Sequence, residues 1–275
     1  DWYELIQIKV NKNVTFEAST ELSILESARN VSLTFNHSCL SGRCSECKVK
    51  VVSGKFEMPS TQEGLTDVEV INGYCLSCIT KPSSDMELED VSFIEGVLPE
   101  VKTIPAKISS LEFLSEDVVK VTLRTPPNKS LEFLAGQYID LSVKGIKRSY
   151  SIASTPLDSE IELLIKNYTG GQFSNYLFNE AKVNDLMRIE GPKGTYILPK
   201  DIPQNLIFIS TGTGIAPNLS LIKSVLNEDT IQSSQITLIH GQRTAKEHIY
   251  SIEDDINGIK IIKCTSRESV EGFIQ

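Results

Sequence analysis

The cysteines are the first feature of this 275-residue sequence whose type and spacing indicate chemistry. Cys39, Cys44 and Cys47 lie close together, and Cys75 and Cys78 follow roughly thirty residues later. Three cysteines separated by four and then two residues, followed by a distant fourth, are typical of the ligands of a 2Fe–2S cluster. Three thiolates would then come from one tight loop, whose N–H groups offset the charge on the sulfurs. The small residues between these cysteines suit such a bend.

Two other roles for the cysteines are structural zinc and disulfides. Zinc ribbons usually bring their ligands in separated pairs, which the four-residue gap fits poorly. Disulfides form in oxidising compartments, and the first residues, from Asp1 to Glu4, resemble no secretory signal. The sequence therefore favours an iron–sulfur cluster in a cytoplasmic protein. A redox-inert binding module with zinc or disulfides stays as the alternative from another functional class.

The overall charge and hydropathy exclude some partners. A formal net charge of −9 argues against nucleic-acid binding, which depends on Lys and Arg at phosphates. The same charge suits a redox partner protein with a basic docking face, although plain solubility is the better explanation for the charge alone. No stretch approaches the ~18 apolar residues that cross a bilayer, so we expect no membrane. The sequence does not start with Met, and what precedes Asp1 stays open.

Three regions differ in their pattern of apolar and turn-forming residues. Residues 1–90 contain short alternating runs and one helical stretch after Thr20. Residues 91–104 carry Gly96 and Pro99, with Pro105 directly after them, and are expected to be a linker. Residues 105–202 show β-like runs between turn signals, which predicts a small antiparallel barrel with one helix near its end. Residues 203–275 predict a doubly wound α/β lobe that is truncated at its C-terminal end, because only three strand candidates occur. The predicted strands are Leu5–Val10, Val14–Phe16, Lys48–Val52, Met86–Leu88, Ala106–Phe113, Val118–Arg124, Gln137–Val143, Arg148–Ala153, Ile161–Lys166, Asn205–Ser210, Gln235–His240 and Gly258–Cys264.

Residues 1–90 resemble a plant-type 2Fe–2S ferredoxin domain, which implies an α+β (β-grasp) fold. Cys78, Pro82 and Ser84-Asp85 are similar to the family's ending of a cysteine, a proline and a Ser-Asp pair before the last strand. In that register the Asp lies seven positions after the ligand, and 85 − 78 = 7. Cys75 would miss by three and is expected to be a buried apolar residue. The resemblance thus implies four iron ligands, namely Cys39, Cys44, Cys47 and Cys78.

Two short motifs in the barrel region could bind a pyrophosphate. Arg148-Ser149-Tyr150-Ser151 lies in a β-like run, and Gly170-Gly171-Gln172-Phe173-Ser174 lies at the start of the expected helix. A helix N-terminus preceded by glycines presents N–H groups and the positive end of the dipole. The alternatives are an edge strand with a solvated Arg, and a glycine turn with Ser174 as the N-cap.

In this order the two motifs resemble those of the ferredoxin–NADP reductase-like superfamily. The resemblance implies that Arg148 pairs with the pyrophosphate of FAD and that Tyr150 packs on the flavin ring or ribityl chain. Ser151 would lie near flavin N5, and Gly171 and Ser174 would receive the pyrophosphate at the helix start. No side chain is expected to act as a general base.

The third region carries a possible dinucleotide site. Thr211-Gly212-Thr213-Gly214-Ile215-Ala216-Pro217 follows a buried-type strand and opens a helix, so its glycines allow close approach to a dinucleotide. It looks like the nicotinamide turn of the same superfamily, and Arg243 resembles the Arg that follows that lobe's second strand. Ser266-Arg267 resembles the pair that holds the 2′-phosphate of NADPH, or is an exposed loop after a strand. NADH or NADPH both stay possible, with NADH favoured because reductases with their own ferredoxin domain are generally NADH-linked.

Together these resemblances imply an NAD(P)H-dependent oxidoreductase with FAD and a 2Fe–2S cluster. Hydride would move from NAD(P)H to the flavin, and single electrons would pass through the cluster to a separate protein. That acceptor would be an oxygenase component. The alternative is the dehydrase component of CDP-deoxysugar biosynthesis, because the CDP-6-deoxyhexose 3-dehydrase reductases share this domain order.

Overall fold

The computed structural model describes residues 5–90, 92–96, 98–199, 202–227, 235–248, 256, 258–269 and 272–274. The chain forms two compact units, Asp1–Leu98 and Pro99–Gln275. No helix in the described part of the chain is both long enough and apolar enough to cross a membrane. All six cysteines lie among the described residues and are free thiols.

The first unit is an α+β domain. Its strands and helices form where apolar side chains alternate or recur on one helical face; residues Leu5–Val10, for example, alternate strictly between exposed and buried. The elements are β1 (Leu5–Val10), β2 (Val14–Ser19), α1 (Ile24–Asn30), β3 (Leu33–Thr34), β4 (Lys48–Ser53), β5 (Phe56–Glu57), α2 (Asp67–Ile71), β6 (Tyr74–Leu76), β7 (Lys81–Pro82), β8 (Met86–Glu89) and β9 (Ile94–Glu95).

The main sheet of this unit has the strand order β2-β1-β8-β4-β6 and packs helix α1 on one face. Helix α1 begins after Ser23, whose side chain forms a capping box with Glu26. Strand β9, inside the segment expected to be a linker, pairs with β3 and so extends the ordered unit beyond residue 90.

The second unit contains an antiparallel barrel-like sheet followed by a parallel lobe. Its elements are β10 (Lys102–Phe113), β11 (Val118–Arg124), β12 (Tyr138–Val143), β13 (Ile146–Ser151), β14 (Ile161–Lys166), α3 (Gln172–Asn179), β15 (Leu186–Lys193), β16 (Leu206–Thr211), α4 (Ile215–Asn227), β17 (Ile236–Gln242) and β18 (Lys260–Thr265).

Six antiparallel strands form the barrel-like sheet in the order β13-β12-β15-β10-β11-β14. A bridge between Ile152 and Leu163 links the two ends of this order. Strand β15 lies at the centre, between β12 and β10, although the sequence analysis predicts no strand there. Its Gly191-Pro192 resembles a turn, and proline is normally excluded from central strands. The predicted barrel is confirmed, with this strand added.

The lobe is a parallel sheet in the order β16-β17-β18, as the apolar runs predict. Helix α4 follows the Gly212–Gly214 turn and packs on the sheet through buried residues such as Leu219 and Ile222. Part of the segment between β17 and β18, residues 249–255 and 257, lies outside the described residues. The multidomain α+β, barrel and α/β architecture is confirmed.

Candidate functional site

The loop from Cys39 to Cys47 turns its backbone N–H groups toward sulfur. The Sγ of Cys39 accepts N–H groups from Ser41 at 3.5 Å, Arg43 at 3.4 Å and Cys44 at 3.3 Å. In return the N–H of Cys39 donates to the Sγ of Cys44 at 3.4 Å. Burial opposes ionisation of Cys39, but the N–H groups of Ser41 and Cys44 lower the pKa of its thiol to about 6. The loop is therefore built to hold thiolates.

The other two predicted ligands form a second pair. The Sγ of Cys47 lies 3.1 Å from the Sγ of Cys78, to which it donates. This contact raises the pKa of Cys47 and lowers the pKa of Cys78 to about 7. The backbone joins the same two segments, because the N–H of Ser77 donates to the carbonyl of Cys47 at 2.9 Å. Four cysteines grouped two and two fit a cluster with two irons, each of which takes two thiolates.

The cluster loop is fixed by a glycine and a neighbouring segment. Gly42 has φ +73, and a Cβ at this position would lie 2.6 Å from the side chain of Ile79. Its carbonyl accepts N–H groups from Glu63 at 3.1 Å and Gly64 at 2.8 Å.

Among the residues that the structure describes, no three His, Cys, Asp or Glu side chains converge on one point as a single metal ion would require.

Cys75 lies in a different environment from the four predicted ligands. Its side chain is 0% exposed and packs in the apolar core of the first unit, in register with Val49. Burial raises the pKa of this thiol to about 12, so it stays protonated at neutral pH. The structure thus brings Cys78, and not Cys75, beside Cys47. The choice of Cys78 as fourth ligand stays a prediction, now with this geometry in its support.

Three of the predicted flavin residues, Arg148, Tyr150 and Ser151, lie on one strand of the barrel. On β13, Tyr150 is half-buried and its ring centroid lies 5.5 Å from that of Phe173 on α3. Burial raises the pKa of Tyr150 to about 12, so its hydroxyl stays neutral. Within the described part of the chain, Arg148 is exposed and its side chain donates only to the carbonyl of Lys147, at 2.7 Å. Ser151 closes the strand opposite Tyr138. The side chain of Arg148 is therefore available to an anionic ligand.

The glycine turn before α3 is shaped by Ser174. Gly171, rather than Ser174, is the N-cap of this helix. The buried hydroxyl of Ser174 donates to the carbonyl of Gly171 at 3.1 Å and accepts the N–H of Tyr168 at 3.3 Å. The hydroxyl proton of Ser174 is used within the turn and is not directed to a ligand. A phosphate at this helix start would therefore bind to the first backbone N–H groups of α3.

A charge network that the sequence analysis missed holds the flavin strand. Ser149 donates to Asp140 at 2.6 Å, and Lys193 contacts both Asp140 at 2.7 Å and Glu190 at 2.5 Å. Lys147 adds an ion pair to Glu190 at 2.5 Å. Although burial opposes it, these donors lower the pKa of Asp140. The network joins strand β13 to β12 and β15. Because the pairing of these strands is set only when the sheet folds, no local signal in the sequence could reveal the network.

A cleft of about 680 Å³ lies at the carboxyl ends of the lobe's strands, where parallel α/β sheets bind ligands. The Gly212–Gly214 turn lines it, together with Arg243 and Ser266. Arg267 is exposed and is not among its lining residues. Lys166 and Tyr168 also line the cleft, although the sequence analysis did not single them out. The structure thus brings together five of the six predicted nucleotide residues.

Arg243 already has a partner inside this cleft. Its Nη2 lies 3.0 Å from Oε1 of Glu247, and its Nε lies 3.2 Å from Oε2. This two-point contact raises the pKa of Arg243. The backbone of Arg267 donates to the carbonyl of Arg243 at 2.9 Å, which ties the loop after β18 to the end of β17.

These three sites in this order define a class, that of reductases that combine an iron–sulfur cluster with a flavin and a nicotinamide nucleotide. Family profiles match three segments, described as 2Fe-2S iron-sulfur cluster binding domain at residues 8–83, oxidoreductase FAD-binding domain at 105–197 and oxidoreductase NAD-binding domain at 208–256. The chain belongs to the family of iron–sulfur flavoprotein reductases.

Individual relatives come from two kinds of system. The chain is 38% identical over 218 residues to the CDP-6-deoxy-L-threo-D-glycero-4-hexulose-3-dehydrase reductase of Yersinia pestis, covering 78% of this chain and 65% of that relative. It is 32% identical over 275 residues to the propane 2-monooxygenase reductase component of Mycolicibacterium smegmatis, covering 95% and 78%. Among solved structures, the Amycolatopsis cytochrome P450 reductase GcoB matches with a TM-score of 0.64 and 25% identity, covering 98% of this chain and 83% of that one.

Proposed function

We propose that this protein is an NAD(P)H-dependent reductase that delivers electrons, through FAD and a 2Fe–2S cluster, to a separate protein in the cytoplasm. The observation that carries this proposal is the paired arrangement of the four cysteines, in a chain whose other unit offers flavin and nucleotide sites. Acceptance of a hydride and its division into single electrons is the chemistry that bound FAD and cluster supply.

The side chains of this chain would bind and orient the cofactors and tune their chemistry. Cys39, Cys44, Cys47 and Cys78 would hold the irons as thiolates, and the loop N–H groups would stabilise the charge on sulfur. The arginine and tyrosine of the flavin strand would hold the pyrophosphate and cover the ring, with Ser151 near its reactive edge.

The nucleotide would lie at the carboxyl ends of the lobe's strands. Backbone N–H groups of the Gly212–Gly214 turn would receive its phosphates, because they lie at the start of α4. Arg243 and Ser266 line the same cleft, and we infer that they contact the bound nucleotide. Arg267 would join them only if its exposed side chain swings toward the ligand.

The decisive experiment is an anaerobic titration of the purified protein with NADH and with NADPH, followed by visible absorbance. We expect the flavin bands to bleach first and the cluster bands to follow. In Cys78→Ser the flavin should still bleach, while reduction of cytochrome c, a one-electron acceptor, should fall. A colourless protein after iron and sulfide reconstitution would refute the proposal in favour of a redox-inert binding module.

Two acceptors are candidates for the physiological partner, an oxygenase component and a CDP-deoxysugar dehydrase. The higher identity, 38% against 32%, favours the dehydrase, whereas the longer alignment favours the oxygenase. Steady-state NADH oxidation in the presence of each purified partner would separate them. A partner that raises the rate in a cluster-dependent manner, abolished in Cys78→Ser, would be identified as the acceptor.

A further inference from the structure

A buried histidine lies directly under the nucleotide cleft. His240 on β17 is 1% exposed, and none of the roles proposed above uses it. Both of its ring nitrogens have partners, since Nδ1 lies 3.0 Å from Oγ of Ser210 and Nε2 lies 3.2 Å from Nε2 of Gln242. The histidine therefore links the end of β16 to a side chain that lines the cleft.

The partners of His240 determine where its proton lies. The amide nitrogen of Gln242 can only donate, so Nε2 of His240 must accept and Nδ1 must carry the hydrogen. Donation from Nδ1 toward Ser210 agrees with this tautomer. Burial, together with the charges of His248 and Lys263, lowers the pKa of His240 to about 4, so the ring is neutral at physiological pH.

The same contact fixes the orientation of the Gln242 carboxamide. One N–H of its NH₂ group is directed to His240, so its oxygen is an acceptor that this side chain offers to a molecule in the cleft. A carboxamide oxygen accepts hydrogen bonds and does not donate them. It repels phosphate oxygens, which also only accept, and it favours a hydroxyl or N–H group. The nearby Gly212–Gly214 turn has the opposite character, since its backbone presents N–H donors.

We propose that Gln242 is a specificity-determining residue that accepts a hydrogen bond from a neutral donor of the bound nicotinamide nucleotide, and that His240 is its positioning residue. This inference rests on the proposed function, because it concerns the same cleft. The donor is a ribose hydroxyl, the amino group of adenine or the N–H of the nicotinamide carboxamide. Phosphates would bind at the glycine turn instead. The carboxyl end of β16 would then contact the phosphates, and the carboxyl end of β17 would contact the neutral donor of the same ligand.

The test compares binding of NAD⁺, which cannot reduce the flavin, and of ADP-ribose, which lacks nicotinamide, to the FAD-loaded protein by titration calorimetry. Gln242→Leu keeps the volume of the side chain but removes the acceptor, and we expect Kd to rise by about three- to tenfold, the value of one neutral hydrogen bond. A loss with both ligands assigns the donor to the ribose and adenine groups that they share, and a loss with NAD⁺ alone assigns it to the carboxamide. Both results support the proposal.

The positioning role is tested by a double-mutant cycle. His240→Phe should weaken binding by a similar factor in the wild type and have little further effect in Gln242→Leu, because it acts through that side chain. His248→Phe is the matched control, since this imidazole lies 5.3 Å from His240 and hydrogen-bonds the carbonyl of Cys264 instead. We expect it to leave Kd unchanged.

The outcomes separate this inference from the proposed function. Wild-type protein that binds neither ligand would overturn the proposed function itself. Wild-type protein that binds both, with Gln242→Leu binding equally well, would overturn the role of Gln242 alone. Independent, additive losses in the double variant would overturn the positioning role of His240. If His240→Phe does not fold, Gln242→Leu still tests the contact, because that side chain is partly exposed at the cleft.

Discussion

Replacing Cys78 with serine should empty the iron–sulfur site, whereas the same change at Cys75, three positions earlier, should leave it filled. Each iron ligand must be a thiolate that can reach the cluster. Cys78 meets both conditions, because its Sγ lies 3.1 Å from that of Cys47 and its pKa is about 7. Cys75 meets neither, because it is enclosed in the core of the first unit.

The magnitude of the difference follows from the burial of Cys75. Its pKa of about 12 lies five pH units above neutrality, and each unit corresponds to about 1.4 kcal/mol, so ionising this thiol at pH 7 costs about 7 kcal/mol. Serine at Cys75 would instead bury a hydroxyl in an apolar core, at a cost of about 1–3 kcal/mol in the free energy of unfolding. Cys75→Ser should therefore be less stable but fully loaded with iron.

The assay is the content of iron and acid-labile sulfide per chain after anaerobic reconstitution, with thermal unfolding measured on the same samples. Cys264→Ser is the matched control, because this cysteine lies on β18 in the other unit. We expect full iron in the control and in Cys75→Ser, and strongly reduced iron in Cys78→Ser. Iron retained in Cys78→Ser and lost in Cys75→Ser would refute the assignment of the fourth ligand.

Three further changes test the flavin site. Tyr150→Ala should weaken FAD retention by about tenfold or more through loss of ring contact, and equal flavin occupancy after dialysis would contradict this. Gly171→Ala should also release FAD, because the added Cβ would lie 2.6 Å from Oγ of Ser174; FAD fluorescence on dilution measures it. The lowered pKa of Asp140 means that its stabilising contribution is complete above its ordinary value near 4 and is lost as pH falls through the lower folded value. Asp140→Asn should thus flatten the acid side of the curve of Tm against pH. An unchanged curve would show that the ion pair of Asp140 with Lys193 does not cause the loss of stability at low pH.

The sequence predicts best where a local pattern is sufficient. Strands Leu5–Val10, Val118–Arg124 and Ile161–Lys166 have the predicted bounds, because their burial repeats every second residue or their apolar run is bounded by polar turns. The cysteine motif is equally local, since three of the four expected ligands come from one loop. Strand β15 shows the limit, because its central place depends on pairing with two strands distant in sequence.

The same limit applies to the candidate sites, and it separates two kinds of residue. Motif residues such as Arg148 and Gly212 each lie next to the other residues of their own motif along the chain. A single sequence is therefore enough to propose them. Asp140 and His240 act across strand pairs, Asp140 on Ser149 of the next strand and His240 on Ser210 of another. Their partners are set by sheet register, which one sequence does not encode in any contiguous stretch.

Ser174 shows that a residue can be recognised while its contribution differs from the expected one. The motif marks it as a phosphate contact, yet its hydroxyl binds two backbone groups of its own turn. A serine in this role acts on the ligand through the backbone, because it fixes the direction in which the N–H groups of α3 point. Its replacement by alanine should then loosen the turn as well as the ligand, which a direct contact alone would not do. Limited proteolysis of FAD-free protein measures this. Faster cleavage at the turn in Ser174→Ala than in the wild type would support the indirect role, and an unchanged rate would favour the direct one.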